Sequence, residues 1–211
     1  MRGRILGYPA PQMVRSDGKS RELRIIAGMW RGRRLRFPEG PDIRPTPDRV
    51  RETLFNWLAP VIRGARVLDL FAGSGALGLE ALSRGAALAE FIDSDARAID
   101  ALRERLVEWK ADPGCFVLRR ADAVQALSTA KPASQPAFDI VFIDPPFAAG
   151  LWQTVADRLE SGGWLAPQAY LYLEAPVRDS LNGMPERWTA WRDGTAGEVG
   201  YHLLRRAEPA A

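Results

Sequence analysis

Apolar positions recur along this chain in two different periods. From Arg66 onward, short unbroken apolar runs alternate with stretches whose apolar residues return every three or four positions. The runs suit strands buried on both faces, and the stripes suit helices packed on one face. Strands are predicted at Arg66–Phe71, Ala87–Ile92, Cys115–Arg119, Phe138–Ile143 and Ala169–Ala175, and helices at Gly75–Ser83, Ala96–Lys110, Asp122–Ser128 and Gly150–Glu160. Such alternation predicts an α/β fold, a mostly parallel, doubly wound sheet with helices on both faces. Arg187–Asp193 and Glu198–Arg205 lack a helical stripe and flank Gly194 and Gly197. They predict a terminal hairpin added antiparallel to the sheet.

Upstream of Arg66 the pattern differs. Leu23–Ala27 and Arg33–Phe37 flank a loop bounded by Gly28 and Gly32, which predicts a β-hairpin. Thr46 and Pro47 suit an N-cap followed by proline at the first helical position, with a helix to about Leu58 ended by Pro60. Its apolar stripe is Val50, Leu54, Phe55 and Leu58. Residues 1–20 mix Pro, Gly, Ser and Arg without periodicity, as a disordered extension does. The expected organisation is therefore that extension, a hairpin arm over 21–45, a main domain over 46–206 and a tail over 207–211.

Composition adds three constraints. A chain of 211 residues, 46% hydrophobic, can bury one substantial core. One cysteine, Cys115, excludes an intramolecular disulfide and a multi-cysteine zinc site. No apolar run approaches membrane-spanning length, so a cytoplasmic location is expected, and the chain is separately expected to act as a monomer. The net charge of +3 is uneven: residues 1–37 hold ten Lys/Arg and two Asp/Glu, a balance of +8, which leaves −5 for the remainder. A basic, arginine-rich arm on a mildly acidic body suits phosphate contacts and base stacking. Trp30 beside Arg31, Arg33 and Arg34 is a combination used on nucleic acid. The plainer alternative is a solvated hairpin whose tryptophan packs onto the body. Arg44, Arg49 and Arg51 gather with Thr46 around a helix N-terminus, which favours anions.

Candidate chemistry lies at the ends of the apolar runs. Phe138–Ile143 is stopped by Asp144-Pro145-Pro146-Phe147, which delivers a carboxylate at a strand's carboxyl end, where open α/β sheets place ligands. The Asp144 carboxylate and the Pro145 carbonyl together offer two acceptors to one N–H₂ group, and Phe147 can stack on a flat ring. Withdrawing both hydrogens leaves a nitrogen lone pair aimed at a methyl donor, although Asp-Pro-Pro is also an ordinary turn. Gly73, Gly75 and Gly78 fit the dinucleotide-binding spacing, with Asp93 at the ribose distance, so a nicotinamide-dependent dehydrogenase competes. Asp69, four residues before the first glycine, would repel a pyrophosphate. S-adenosylmethionine fits better, because it carries an ammonium and a sulfonium and no phosphate. Asp122 follows the third strand and suits an adenine amine or a helix cap. Asp69, Asp93, Asp122 and Asp144 thus end four successive strands. A metal is disfavoured by their spread and by the absence of a supporting histidine.

These features resemble one family, the bacterial small-subunit ribosomal RNA guanine-N2 methyltransferases (RsmD family). The resemblance runs from about Leu23 to Arg206. It rests on Arg24–Arg33, on the block Arg44–Leu58, on the glycine loop and on Asp144–Phe147. It implies a Rossmann-like methyltransferase fold and transfer of one methyl from S-adenosylmethionine to a guanine N2 in 16S rRNA, within a partly assembled subunit. Residue chemistry alone does not choose guanine over adenine. By position, Thr46, Asp69, Phe71, Ala72, Gly73, Ser74, Gly75, Asp93, Ser94, Asp122 and Ala123 look like the cofactor site. Asp144, Pro145, Pro146 and Phe147 look like the target-base clamp. Arg24, Trp30, Arg31, Arg33, Arg34, Arg44, Arg49 and Arg51 look like the RNA-contacting set. The chief departure is Asp93, where glutamate is expected. A DNA adenine or cytosine amino-methyltransferase and a non-catalytic RNA-binding assembly factor are the alternatives.

Overall fold

The apolar run Phe138–Ile143 forms β6, and its position fixes the rest of the sheet. This computed structural model describes residues 21–37, 46–132, 134–145, 151–177 and 183–207. The proposed extension 1–20, Arg44, Pro146 and Phe147 lie outside them. β6 is flanked by β3 (Arg66–Asp69) and β7 (Leu165–Pro176), both parallel to it. β4 (Leu88–Asp93) and β5 (Phe116–Arg120) continue in parallel beyond β3. The terminal hairpin, β8 (Trp188–Ala196) and β9 (Val199–Arg206), joins antiparallel through β9 against β7, giving the order β5-β4-β3-β6-β7-β9-β8. The chain therefore runs outward from β3 in one direction, then crosses back to start the other half at β6. The crevice between the carboxyl ends of β3 and β6 is the topological switch point, where such sheets bind ligands.

Alternation along the central strands feeds two cores. Val67, Ile140, Phe142 and Tyr172 face one side, under α1 (Asp48–Leu58), α2 (Ala76–Ser83) and α3 (Ala96–Glu108). Leu68, Val141, Ile143 and Leu173 face the other, under α4 (Ala123–Ala126) and α5 (Trp152–Ser161). β7 begins earlier than the apolar run predicts. Its pairing slips between Leu165, beside Phe138, and Tyr170, beside Ile140, and Pro167, which has no N–H to donate, falls in that slip.

The N-terminal hairpin is present but is not a free arm. β1 (Arg21–Arg24) and β2 (Arg34–Phe37) pair antiparallel, and Leu23, Ile25, Trp30 and Leu35 join the core of α1, α2 and α3. The fully buried Glu80 of α2 accepts the backbone N–H groups of Ile26 at 2.7 Å and Ala27 at 3.0 Å, and the Arg84 guanidinium at 2.7 Å. Ser83 accepts Met29 N–H on its carbonyl and Trp30 N–H on its hydroxyl. Gly28 lies against that turn at φ +83°, and a Cβ there would sit 1.8 Å from the Ser83 carbonyl oxygen. Glu80 also lies 3.9 Å from the buried Arg51 guanidinium. Glu80→Gln removes the countercharge that Arg84 pairs with and leaves the buried Arg51 with Asp48 alone, and it is expected to cost about 3 kcal/mol in urea unfolding. A change below 0.5 kcal/mol would show that the hairpin is held by its apolar contacts alone.

The start of α1 differs from expectation. Pro47 occupies the N-cap and makes no side-chain cap, and the helix begins at Asp48. Thr46 does not cap because its hydroxyl is used elsewhere, as described below.

Candidate active site

Four of the five parallel strands deliver a carboxyl group to one edge of the sheet, and a fifth acid joins them. Asp69, at the end of β3, is 3% exposed, and its Oδ2 accepts Gly78 N–H at 3.0 Å. Burial chiefly, and Asp93 in a lesser way, push its carboxyl up from 3.8 to about 7, against the lowering effect of the Gly78 N–H. Asp93, ending β4, ties the glycine loop down: its Oδ2 accepts Gly73 N–H at 2.7 Å and its Oδ1 accepts Asp95 N–H at 2.8 Å. Each oxygen keeps a lone pair for a ribose hydroxyl. Ser94 is exposed beside it. Asp95 is the N-cap of α3, accepting Arg97 N–H at 2.9 Å, as its place in the sequence suggests.

The three glycines do different work. A Cβ on Gly75 would lie 2.2 Å from Leu102 Cδ2, and one on Gly78 would lie 2.3 Å from the Phe91 ring. Gly78 is therefore required by packing between α2 and the sheet, and Gly75, at φ +76°, by its left-handed backbone and the close approach of α3. A Cβ on Gly73 would meet nothing nearer than the Phe71 carbonyl oxygen at 3.9 Å. Gly73, with Phe71 and Ser74 half-buried around it, is the glycine that faces open space where a ligand can approach. Ala72 is buried beneath, its N–H bonded to the Ile92 carbonyl at 3.0 Å. Asp122 caps the four-residue α4, accepting Gln125 N–H at 2.8 Å, and stays exposed, with Ala123 buried behind it.

At the end of β6, Asp144 is half-buried and Pro145 is buried. The neighbouring acid, not among the candidates above, is Glu174 on β7. It is 7% exposed, and its Oε1 accepts both the Thr46 hydroxyl and the Tyr172 hydroxyl, each at 2.7 Å. Ile143 lies beside Leu173, so Asp144 and Glu174 are the next pair along two parallel strands. Side chains alternate, so both sit on the face of Phe142 and Tyr172, beneath α1. Burial, then Glu174, then Asp69 push the Asp144 carboxyl well above the usual carboxylate range. Burial likewise raises Glu174, although the Thr46 and Tyr172 hydroxyls oppose the rise. The signal was available: Glu174 is the one acid in Ala169–Ala175, at that strand's carboxyl end.

Two buried carboxyls, Asp69 and Glu174, with the half-buried Asp144 between them on adjacent strands, call for a cation. An ammonium and a sulfonium fit this donor set, whereas a pyrophosphate does not. Among the described residues, no group of three or more His, Cys, Asp or Glu is gathered closely enough to hold a metal ion.

Two residues of the basic set are placed differently from expectation. Trp30 is 5% exposed, with its ring 5.3 Å from that of Trp109, so it serves the core rather than an outer surface. Arg51 is fully buried, its Nη2 bonded to Asp48 Oδ1 at 2.6 Å and to the Arg24 carbonyl at 2.9 Å. It shares the helical face of Phe55 and Leu58, which turns it inward. Arg24, Arg31, Arg33, Arg34 and Arg49 remain exposed. Arg24 pairs with Asp48 at 3.2 Å, Arg34 pairs with Glu22 at 2.7 Å, and the Arg33 guanidinium lies over the Trp109 ring at 5.4 Å. Because the hairpin loop docks on Ser83 at the far end of α2, Arg31 and Arg33 stand at the end of the sheet opposite Asp144. Arg24 and Arg49 stand near the clamp end, beside the start of α1.

A mostly parallel sheet closed by an antiparallel hairpin, with a glycine loop and an acidic switch point, defines a methyltransferase of the Rossmann-like class. The sequence profile of the family described as Conserved hypothetical protein 95 matches residues 23–205. The chain belongs to that family, the RsmD family of methyltransferases. It is 48% identical over 187 residues to the Escherichia coli (strain K12) protein named Ribosomal RNA small subunit methyltransferase D, covering 89% of this chain and 91% of that one. The Haemophilus influenzae protein of the same name is 40% identical over 192 residues, covering 91% and 98%. A solved structure titled Putative methyltransferase yhhF from Escherichia coli superimposes with a TM-score of 0.79 at 46% identity, covering 88% of this chain and 98% of that one.

Proposed function

We propose that this chain transfers a methyl group from S-adenosylmethionine to the exocyclic N2 amine of one guanine in 16S rRNA, during assembly of the small ribosomal subunit. The observation that supports it most is the placement of Asp144 and Pro145 across the switch point from Asp69, with Gly73 facing open space between β3 and β4. Asp69 would take the donor's ammonium, Asp93 its ribose hydroxyls and Asp122 its adenine amine, with Thr46 near the methionine end. S-adenosylmethionine supplies an activated methyl on sulfur. Asp144 and the Pro145 carbonyl would each accept one amine hydrogen and so direct the nitrogen lone pair. As the N–C bond forms, the S–CH₃ bond breaks and its electron pair returns to sulfur. The amine, now cationic, gives up a proton to Asp144 or to water. Alignment and the exclusion of water supply most of the rate in such a step. The guanine must be unpaired or flipped, because a stacked N2 cannot meet the sulfonium in line. The choice of guanine and of 16S rRNA rests on family membership and on the names of the relatives. The chain is taken to act as a cytoplasmic monomer.

Tritiated-methyl transfer tests this with three substrates: small-subunit particles from a strain lacking the activity, naked 16S rRNA and duplex DNA. Label in the ribosomal RNA is expected. Label in DNA alone would replace the reading with a DNA amino-methyltransferase, and tight RNA binding with no label anywhere would replace it with an assembly factor.

The exposed arginines carry the second expectation. Replacing Arg31, Arg33 and Arg34 together by alanine should weaken RNA binding and reduce the slope of log affinity against log salt by about 2. An unchanged slope with intact circular dichroism would remove the hairpin from the RNA interface.

A further inference from the structure

Glu174 is a buried acid that the proposed reaction does not use. Its Oε1 accepts two hydroxyls, Thr46 from just before α1 and Tyr172 from its own strand, each at 2.7 Å. A glutamine oxygen would accept both bonds equally well, without the cost of burying a charge. The carboxyl therefore has another use, and the sheet register shows where it lies. Glu174 and Asp144 each follow the last paired positions, Leu173 and Ile143, so they stand one step further along neighbouring strands about 4.8 Å apart and on the same face. Two carboxyls so close in a desolvated setting do not both ionise without a cation.

We propose that Glu174 is a positioning residue for methyl transfer: it ties Thr46 to the end of the sheet and shares one proton with Asp144, so that the clamp becomes fully ionised only when a cationic methyl donor enters. This rests on the methyl-transfer function proposed above. The groups bearing on the pair are Asp69 from β3, Tyr172 from the same strand and Tyr201 from β9, with Asp93 acting on Asp69. On α1, which covers this face, Arg51 is taken up by Asp48 and Glu80 and Arg49 is exposed, so among the described residues no cation pairs with either carboxyl, and a cationic ligand would supply the missing charge. Donor binding then releases the shared proton, and the free Asp144 carboxylate is ready to accept the amine hydrogen.

Glu174→Gln separates this role from a structural one, because it keeps the acceptor for Thr46 and Tyr172 and removes only the charge. Carboxyl-carbon NMR titration of the protein without ligand, labelled at Asp and Glu, reads the pair directly. In the wild type, two groups should titrate together above the usual carboxylate range. In Glu174→Gln, Asp144 should titrate alone, lower by about one pH unit or more. Single-turnover methyl transfer should show its acid limb displaced the same way. Thr46→Val, which removes a hydroxyl that opposes the rise of Glu174, should raise the donor KM and move the acid limb upward, opposite to Glu174→Gln. An Asp144 titration unmoved in Glu174→Gln would overturn the proposal, whatever the activity. A coupled titration in a protein that methylates no RNA would instead leave the pair standing and remove the proposed function.

Discussion

Asp144→Ala is expected to bind S-adenosylmethionine as the wild type does and to transfer methyl about a thousandfold more slowly. The donor's cations and ribose are assigned to Asp69 and Asp93, on β3 and β4, so removing a β6 side chain leaves those contacts in place. What is lost is one of two acceptors for the amine. The free amine then rotates, its lone pair no longer points along the S–CH₃ axis, and the transition state loses a preorganised acceptor in a water-poor site. Removing a single such group typically costs about 10²- to 10³-fold, and the misalignment adds to that. The alanine change also removes a carboxyl that burial and Glu174 push well above the usual carboxylate range, so the fold should not suffer. Calorimetry for donor binding and single-turnover methyl transfer give the two readouts. Transfer within tenfold of wild type would remove Asp144 from the clamp.

Asp69→Asn should move stability and binding in opposite directions. Asp69 is raised in the fold from 3.8 to about 7, chiefly by burial. An acid raised on folding stabilises the fold fully below its unfolded value, and that contribution disappears as pH rises through its folded value. The ligand-free protein should therefore be less stable at pH 8 than at pH 6. A rise from 3.8 to about 7 corresponds to roughly 4 kcal/mol at alkaline pH. Asparagine keeps an acceptor for Gly78 N–H and has no charge to desolvate. The variant should unfold at higher urea at pH 8 and show little pH dependence there. It should also bind S-adenosylmethionine at least tenfold more weakly, because the ammonium loses its countercharge. Denaturation across pH 6–8 together with calorimetry checks both halves, and unchanged affinity would detach Asp69 from the donor site.

What the sequence discloses and what it hides follow from the range of the interactions. The sheet was legible because buried parallel strands must be apolar over their whole length, and the glycines and prolines that stop them are local. The four aspartates were legible because they follow those runs directly. Arg51 could have been placed by spacing, since it lies four and seven residues before Phe55 and Leu58, but its charge suggests a surface. Trp30 is decided by Glu80 and Ser83, whose grip on the hairpin loop spans more than fifty positions and leaves no local trace. Thr46 has the composition of a helix cap, and only the tertiary position of Glu174, 128 residues away, takes its hydroxyl. Two of the three loop glycines answer to Leu102 and Phe91, which a motif cannot reveal.

The base identity is the finest element of the proposed function and the one that family membership supports most and residue chemistry least. Guanine N2 and adenine N6 are both amines that an Asp144–Pro145 clamp can hold. Small-subunit particles from a strain lacking the activity, methylated in one turnover and digested to nucleosides, resolve this by mass spectrometry. The expected product is N2-methylguanosine at one position of 16S rRNA, absent when Asp144→Ala is used. N6-methyladenosine or N4-methylcytidine as the product, or the same N2-methylguanosine yield from the Asp144→Ala protein, would contradict it.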